Sequence, residues 1–78
     1  MAHKVRKPKS FGIWGNTDKP RFWELLDPTM EWAAENNLTS FITTRIQSEL
    51  PEGFNHEFRI IESAEDFYQI DFLLTLGG

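Results

Sequence analysis

The stretch Phe72-Leu73-Leu74-Thr75-Leu76-Gly77-Gly78 decides how this 78-residue chain is expected to fold. Its first five residues are apolar except for Thr75, which is typical of a short strand buried in a sheet. Two glycines follow, and glycine allows both a positive φ angle and the close approach of a ligand to the backbone. In α/β nucleotide sites, a buried strand that ends in this way presents backbone N–H groups to phosphate. The stretch therefore predicts a phosphate site at the end of a last strand.

Alternating strand and helix signals precede this stretch. Aromatic and β-branched residues bounded by turn residues predict strands over residues 10–16, 38–44, 58–61 and 71–76. Helical segments are predicted over residues 19–35, 45–50 and 63–69, the last one opened by a Ser-x-x-Asp capping motif. This alternation favours an α/β fold with a parallel sheet and right-handed crossovers.

The longest predicted helix is amphipathic, since at about 100° per residue its apolar and acidic side chains fall on opposite faces. The apolar face comprises Phe22, Leu25, Leu26, Thr29, Met30 and Ala33. The opposite face carries Glu24, Asp27, Glu31 and Glu35. We expect side chains of residues 16–18 to cap the start of this helix, and Pro28 to kink it because proline removes a backbone donor.

Three strand ends are expected to meet at one edge of the sheet, where ligands of parallel α/β proteins bind. The candidate nucleotide-binding residues are Gly15, Asn16, Arg45, Gly77 and Gly78. Gly15 and Asn16 offer backbone and amide donors, and Arg45 offers a cation just past the second strand. No metal site is predicted, because a lone histidine such as His56 lacks a second ligand at a suitable spacing.

Three stretches, in this order along the chain, resemble the NAD kinase family. Phe11-Gly12-Ile13-Trp14-Gly15-Asn16-Thr17 resembles the opening strand and first loop of the family. Ile60-Ile61-Glu62-Ser63-Ala64-Glu65-Asp66-Phe67 resembles the segment before its signature strand. Residues 72–78 resemble the start of the signature, a hydrophobic strand that ends in Gly-Gly-Asp-Gly-Thr. The likeness covers residues 10–78 and corresponds to the first part of a family member.

The resemblance implies a three-layer, mostly parallel Rossmann-like sheet that forms the partial amino-terminal domain of an NAD kinase-like fold. It implies that the parent enzyme transfers the γ-phosphoryl group of ATP to the 2′-hydroxyl of the adenosine ribose of NAD, with Mg²⁺. The family's catalytic Asp would follow Gly78, so no catalytic residue is assigned and the isolated chain is expected to be inactive. It further implies a homo-oligomeric parent.

Three other interpretations of the chain remain open. Lipid kinases of the diacylglycerol or sphingosine type share the Gly-Gly-Asp-Gly signature, although the stretch from Phe11 to Thr17 favours NAD kinase. A flavodoxin-like or receiver-like binding module would need acidic residues clustered at strand ends, or a phosphate loop closed by a helix. Neither feature is visible in the sequence. A purely structural fragment without a ligand is the third possibility.

Charge and composition indicate which classes of binding partner and which cellular compartment are favoured. Residues 11–78 carry four basic and twelve acidic residues, a balance of −8, which disfavours binding to nucleic acid. The longest apolar run is about five residues, so no membrane-spanning helix is predicted. The chain contains no cysteine, which favours a reducing, cytoplasmic compartment.

We divide the chain into two segments. Residues 1–10, with four of the eight Lys and Arg residues, are expected to form a flexible basic tail. Residues 1–3 are left out of the fold prediction, since short leaders of this kind are often added for expression. Residues 11–78 are expected to form the partial nucleotide-binding domain. A sheet cut after its signature strand exposes an edge, so self-association of the chain is expected.

Overall fold

Strands and helices alternate through residues 7–77, the part of the chain that the computed structural model describes. In chain order the elements are β1 (Ser10–Gly15), α1 (Pro20–Glu35), β2 (Thr39–Thr43), α2 (Thr44–Ser48), β3 (Arg59–Ile61), α3 (Ala64–Tyr68) and β4 (Phe72–Leu76). Every strand and helix predicted from the sequence is present, with ends that differ by at most two residues. The α/β class is therefore confirmed.

The four strands form one parallel sheet in the order β3-β2-β1-β4. β1 is an internal strand, with Phe11 opposite Ser40 of β2 on one side and Phe72 of β4 on the other. The chain builds outward from β1 through β2 to β3, and then crosses back to place β4 on the far side of β1. A Rossmann-like sheet has this kind of reversal, and its switch point here lies between β1 and β4.

Helices cover both faces of the sheet. Phe11 and Ile13 of β1 are fully buried in one core with residues of α1, and Ile46 of α2 joins the same core. Trp14 lies on the opposite face because side chains alternate along a strand, and its ring centroid is 5.9 Å from that of Phe67 in α3. The layers are therefore α1 with α2, then the sheet, then α3.

The predicted apolar face of α1 is the face that packs on the sheet. Its buried residues are Phe22, Leu26, Met30 and Ala33. The four acidic residues predicted on the other face are all exposed. The helix continues through Pro28, which is itself exposed, so this proline occupies a helical position without ending the helix.

The prediction that side chains of residues 16–18 cap the start of α1 was wrong. Lys19 is the N-cap residue and makes no side-chain cap hydrogen bond, while Pro20 occupies the first turn as expected. The Oδ1 atom of Asn16 instead accepts a hydrogen bond from the backbone N–H of Asp18, at 2.9 Å. Asparagine side chains form such local turns readily, and this turn ends before the helix begins.

Asp71 ties the beginning of β1 to the segment that leads into β4. Its Oδ2 atom accepts hydrogen bonds from the backbone N–H groups of Lys9, at 2.7 Å, and Ser10, at 3.1 Å. The hydroxyl of Ser10 donates to the carbonyl of Gln69. Hydrogen bonds to a carboxylate are stronger than neutral ones, so this contact reinforces the β1–β4 pairing.

Much of the predicted basic tail lies outside the described residues, which begin at Lys7. Within the described range, residues 7–9 carry no regular secondary structure and β1 begins at Ser10. No helix between residues 7 and 77 is long and apolar enough to cross a membrane.

We predict that Leu26→Ala lowers the free energy of unfolding by about 2–5 kcal/mol, because Leu26 is only 2% exposed and the truncation leaves a cavity. Glu31→Ala on the exposed side of the same helix is the control, and we expect a change below about 0.5 kcal/mol. Urea denaturation of the two variants checks both values. Equal effects would contradict the packing of α1 on the sheet.

Candidate functional site

The carboxyl ends of the parallel strands lie at one edge of the sheet, and the candidate residues follow them there. Gly15 ends β1, Arg45 lies in the first turn of α2 directly after β2, and Gly77 follows β4. Because β1 and β4 are neighbours on either side of the switch point, Gly15 and Gly77 both lie at the edge of the sheet where parallel α/β proteins bind ligands. Gly78 lies outside the described residues.

Gly15 occupies a position that has no room for a side chain. A Cβ atom there would lie 2.4 Å from the Cδ2 atom of Phe22 and 2.8 Å from the backbone oxygen of Leu76. Phe22 is fully buried, so its ring cannot move aside without disturbing the core. The glycine therefore allows the β1–α1 loop to pass close to both the end of β4 and the first turn of α1.

Gly77 turns the chain away from the sheet with a φ angle of +76°, which is in the left-handed region. A Cβ atom at this position would lie 3.5 Å from the backbone nitrogen of Phe22, which is ordinary contact distance. The backbone after β4 thus passes beside the first turn of α1. In that turn, however, Pro20 has no N–H and the N–H of Phe22 donates to the carbonyl of Lys19 at 3.0 Å, so neither residue offers a backbone donor to an anion.

Asn16 and Thr17 shape the loop between Gly15 and α1. The Oδ1 atom of Asn16 is used within the loop, as described above, whereas its side-chain N–H groups have no hydrogen-bond acceptor within residues 7–77. Thr17 is 7% exposed, and its hydroxyl donates to the Oε2 atom of Glu49 at 2.7 Å. Its carbonyl accepts a hydrogen bond of 2.9 Å from the Trp23 indole. These contacts fix the loop and leave Asn16 exposed.

Arg45 is present at the predicted edge, but it already has acidic partners. Its Nε atom is 3.4 Å from Glu49 Oε2, and its Nη2 atom is 3.9 Å from Asp18 Oδ2. The side chain is 70% exposed, so both ion pairs are weak and screened by water. Arg45 thus lies within reach of the β1–α1 loop, although an anion bound there would compete with two carboxylates.

Sequence reasoning missed two basic residues at this edge. Lys19 and Arg21 flank Pro20 at the start of α1, and both are exposed. Neither has a carboxylate within 4.0 Å among the described residues. Three of the four Lys and Arg residues in the acidic body, residues 11–78, therefore lie at the carboxyl edge of the sheet. These residues could have been found from the sequence, because a lysine and an arginine flank a proline directly after the first strand and its loop.

The remaining polar features lie elsewhere. His56 Nε2 is 2.8 Å from Asp27 Oδ1 of α1. A cleft of about 570 Å³ lies at the opposite edge of the sheet, where β2 and β3 begin, and none of the candidate residues lines it. Within residues 7–77, no group of three or more His, Cys, Asp or Glu side chains is placed to hold a metal ion.

The described edge carries basic side chains together with the carboxylates of Asp18 and Glu49. It combines backbone turns at Gly15 and Gly77 with exposed cations at Lys19, Arg21 and Arg45. Comparison with protein-family models, with curated proteins and with solved structures finds no match for this chain.

We predict that Gly15→Ala destabilises the chain by about 1–3 kcal/mol, because the added methyl group would overlap Phe22 and the backbone of Leu76. Lys19→Ala, an exposed change in the same loop, is the control and should alter the free energy of unfolding by less than about 0.5 kcal/mol. Thermal and urea denaturation measure both. A Gly15→Ala variant as stable as the parent would contradict the close packing at this edge.

Proposed function

We propose that this chain is the amino-terminal part of an NAD kinase and contributes the first strands of its nucleotide-binding half. The observation that carries the proposal is the placement of β4, the strand that resembles the family signature. It lies directly beside β1, which resembles the family's opening strand, and Gly15 and Gly77 lie at the carboxyl ends of the two strands. Two stretches that resemble the family and lie some 60 residues apart in sequence are thus neighbouring strands, which supports the proposal.

The distribution of charge supports a phosphate ligand at this edge of the sheet. The body of the chain is acidic, yet its basic residues concentrate beside the two glycines. Like charges across the rest of the surface repel a polyphosphate, so binding is directed to the edge that carries Lys19, Arg21 and Arg45. The lysine and arginine side chains would supply both charge and hydrogen-bond donors.

Catalysis of phosphoryl transfer depends mainly on positioning the two substrates and on neutralising the charge of the transferred group. In the proposed parent enzyme, ATP is the donor and NAD the acceptor, and Mg²⁺ would neutralise part of the phosphate charge. The residues described here would hold a nucleotide phosphate and orient it against the end of the sheet. The catalytic carboxylate and the NAD-binding half are proposed to belong to the part of the parent that follows Gly78.

The nearest alternative is a lipid kinase with the same glycine signature. The opening stretch of β1 and its loop favours NAD kinase, and the short turn through Asn16 and Asp18 gives this loop a defined shape. We further propose a cytoplasmic, homo-oligomeric parent. The gene itself provides a direct test, since the codons after Gly78 are expected to encode Asp-Gly-Thr. A different continuation, or a stop codon, would contradict the family.

We predict that the purified 78-residue chain does not produce NADP from ATP, NAD and Mg²⁺, whereas the product of the complete gene does. A coupled enzymatic assay for NADP measures both proteins at equal concentration. Diacylglycerol and sphingosine, offered in place of NAD with labelled ATP, are the control acceptors and should remain unphosphorylated. NADP formation by the short chain would show that the site is wrongly assigned, and lipid phosphorylation by the full protein would favour the alternative.

We predict that ATP binds the carboxyl edge of the isolated chain weakly, with Arg45 contributing. Arg45→Ala should weaken binding about threefold to tenfold at low salt, as expected for one exposed charge contact. Glu49→Gln should strengthen it, because it removes a carboxylate that competes for Arg45. Arg59→Ala, the same change at the opposite edge, is the control. Amide NMR shifts during an ATP titration give the affinities, and equal losses for both arginine variants would exclude the proposed role of Arg45.

A further inference from the structure

The cleft of about 570 Å³ at the amino edge of the sheet lies where β2 and β3 separate. Its walls come from two stretches, residues 38–40 at the start of β2 and residues 56–59 leading into β3. Both stretches lie in the interior of the chain, and β1 lies between the cleft and β4. The volume is within the range of about 300–1,000 Å³ that is typical of small-molecule sites.

The cleft forms because β2 pairs with β1 before it pairs with β3. Thr39 and Ser40 are already in register with residues of β1. The pairing of β2 with β3 starts only at Phe41, which lies opposite Arg59. The side of β2 that faces β3 is therefore open at its first two residues, and the cleft occupies this gap.

The backbone N–H of Ser40 points into this gap. The N–H of Thr39 donates to the carbonyl of Lys9 on the β1 side, at 2.9 Å, and the N–H groups of successive strand residues point to opposite sides. If the β2–β3 ladder continued, the N–H of Ser40 would donate to the carbonyl of Glu57, but within residues 7–77 no such bond is present. Ser40 therefore offers a backbone donor to the cleft.

The hydroxyl of Ser40 is a second donor at the same place. Ser40 is only 4% exposed, yet its hydroxyl has no hydrogen-bond partner in the part of the chain that the structure describes. No side-chain oxygen or nitrogen in that part is both fully buried and unpaired, so the hydroxyl oxygen reaches the surface where Ser40 lines the cleft. Two donors on one residue suit a carboxylate, because its oxygens accept hydrogen bonds and cannot donate them.

Arg59 supplies positive charge to the opposite wall of the cleft. Its Cζ atom lies 5.7 Å from the ring centroid of Phe41, and among residues 7–77 no carboxylate lies within 4.0 Å of its guanidinium. Such a guanidinium can bind a carboxylate through two parallel hydrogen bonds. Glu57 also lines the cleft and is exposed, so its charge limits the affinity for an anion.

Apolar side chains and a fixed loop complete the cleft. Leu38 and Phe58 line it, and both are partly buried against the core. The side chain of His56 is 19% exposed, and its Nε2 atom, 2.8 Å from Asp27 Oδ1, ties the loop before β3 to α1. The wall formed by residues 56–58 is therefore held in place before any ligand binds, which lowers the cost of binding.

We propose that this cleft binds a small organic carboxylate with an apolar body, of which phenylacetate is an example. The carboxylate accepts hydrogen bonds from the N–H and the hydroxyl of Ser40 and pairs with Arg59. The apolar body lies against Leu38 and Phe58. None of these residues belongs to the carboxyl edge of the sheet, so the proposal is independent of the proposed function.

The Ser40 amide reports on the site directly when an isotope-labelled chain is titrated with phenylacetate at constant ionic strength. We expect its proton resonance to move downfield with a Kd on the order of 1 mM, because the amide gains a hydrogen bond to a charged acceptor. Phenylacetamide lacks the charge and acetate lacks the apolar body, so each should bind at least about tenfold more weakly. Equal affinities for phenylacetate and phenylacetamide, or for phenylacetate and acetate, would overturn the proposal.

Three variants assign the contacts. Arg59→Gln should weaken phenylacetate binding about threefold to tenfold, and Ser40→Ala about threefold, because each removes a donor to the carboxylate. Glu57→Gln should strengthen binding about twofold, because it removes a like charge from the cleft. Arg45→Gln, the same change at the carboxyl edge, is the matched control and should leave the affinity unchanged. Arg59 and Glu57 are exposed, so their variants should keep the fold even if Ser40→Ala does not. Equal affinities of the Arg59→Gln and Arg45→Gln variants, or weaker binding by Glu57→Gln, would overturn the proposal.

Discussion

The pairing of β1 with a neighbour on each side is the constraint on which the rest of this structure depends. An internal parallel strand has its backbone groups satisfied on both edges, so its side chains can be buried completely. Phe11 and Ile13 are fully buried for this reason, and they provide the apolar surface on which α1 packs. The same pairing places the loop after β1 between the ends of β2 and β4, where Gly15, Arg45 and Gly77 come together.

Most of the fold could be predicted from local patterns, whereas the contacts that fix the edge of the sheet could not. The amphipathic period of α1 and the apolar run of β4 are properties of neighbouring residues, and both predictions were confirmed. The hydrogen bond from Thr17 to Glu49 joins residues 32 positions apart, and no periodic pattern reveals such a pair. The predicted N-cap of α1 was wrong because the side chain of Asn16 can accept a hydrogen bond within a turn as readily as at the start of a helix.

The candidate site shows the same division between local and long-range information. Glycines at the ends of strands can be recognised in the sequence, so the positions of Gly15 and Gly77 at this edge of the sheet could be predicted. The electrostatic part depends on where loops end in space. Arg45 was predicted as a cation that could meet a phosphate, and its ion pairs with Asp18 and Glu49 were not foreseen. Lys19 and Arg21 were overlooked because, in sequence, they are simply the polar flanks of a proline.

The hydrogen bonds from the backbone N–H groups of Lys9 and Ser10 to the carboxylate of Asp71 affect the order in which the chain folds during synthesis on a ribosome. The first strand emerges early, but the carboxylate that holds its beginning lies 61 residues further along. At about 5–20 residues per second, that delay amounts to roughly 3–12 s. During that time β1 can pair with β2 and α1 can pack on it, while the edge of β1 that later pairs with β4 has no partner. The nascent chain therefore spends seconds with one edge of β1 unpaired.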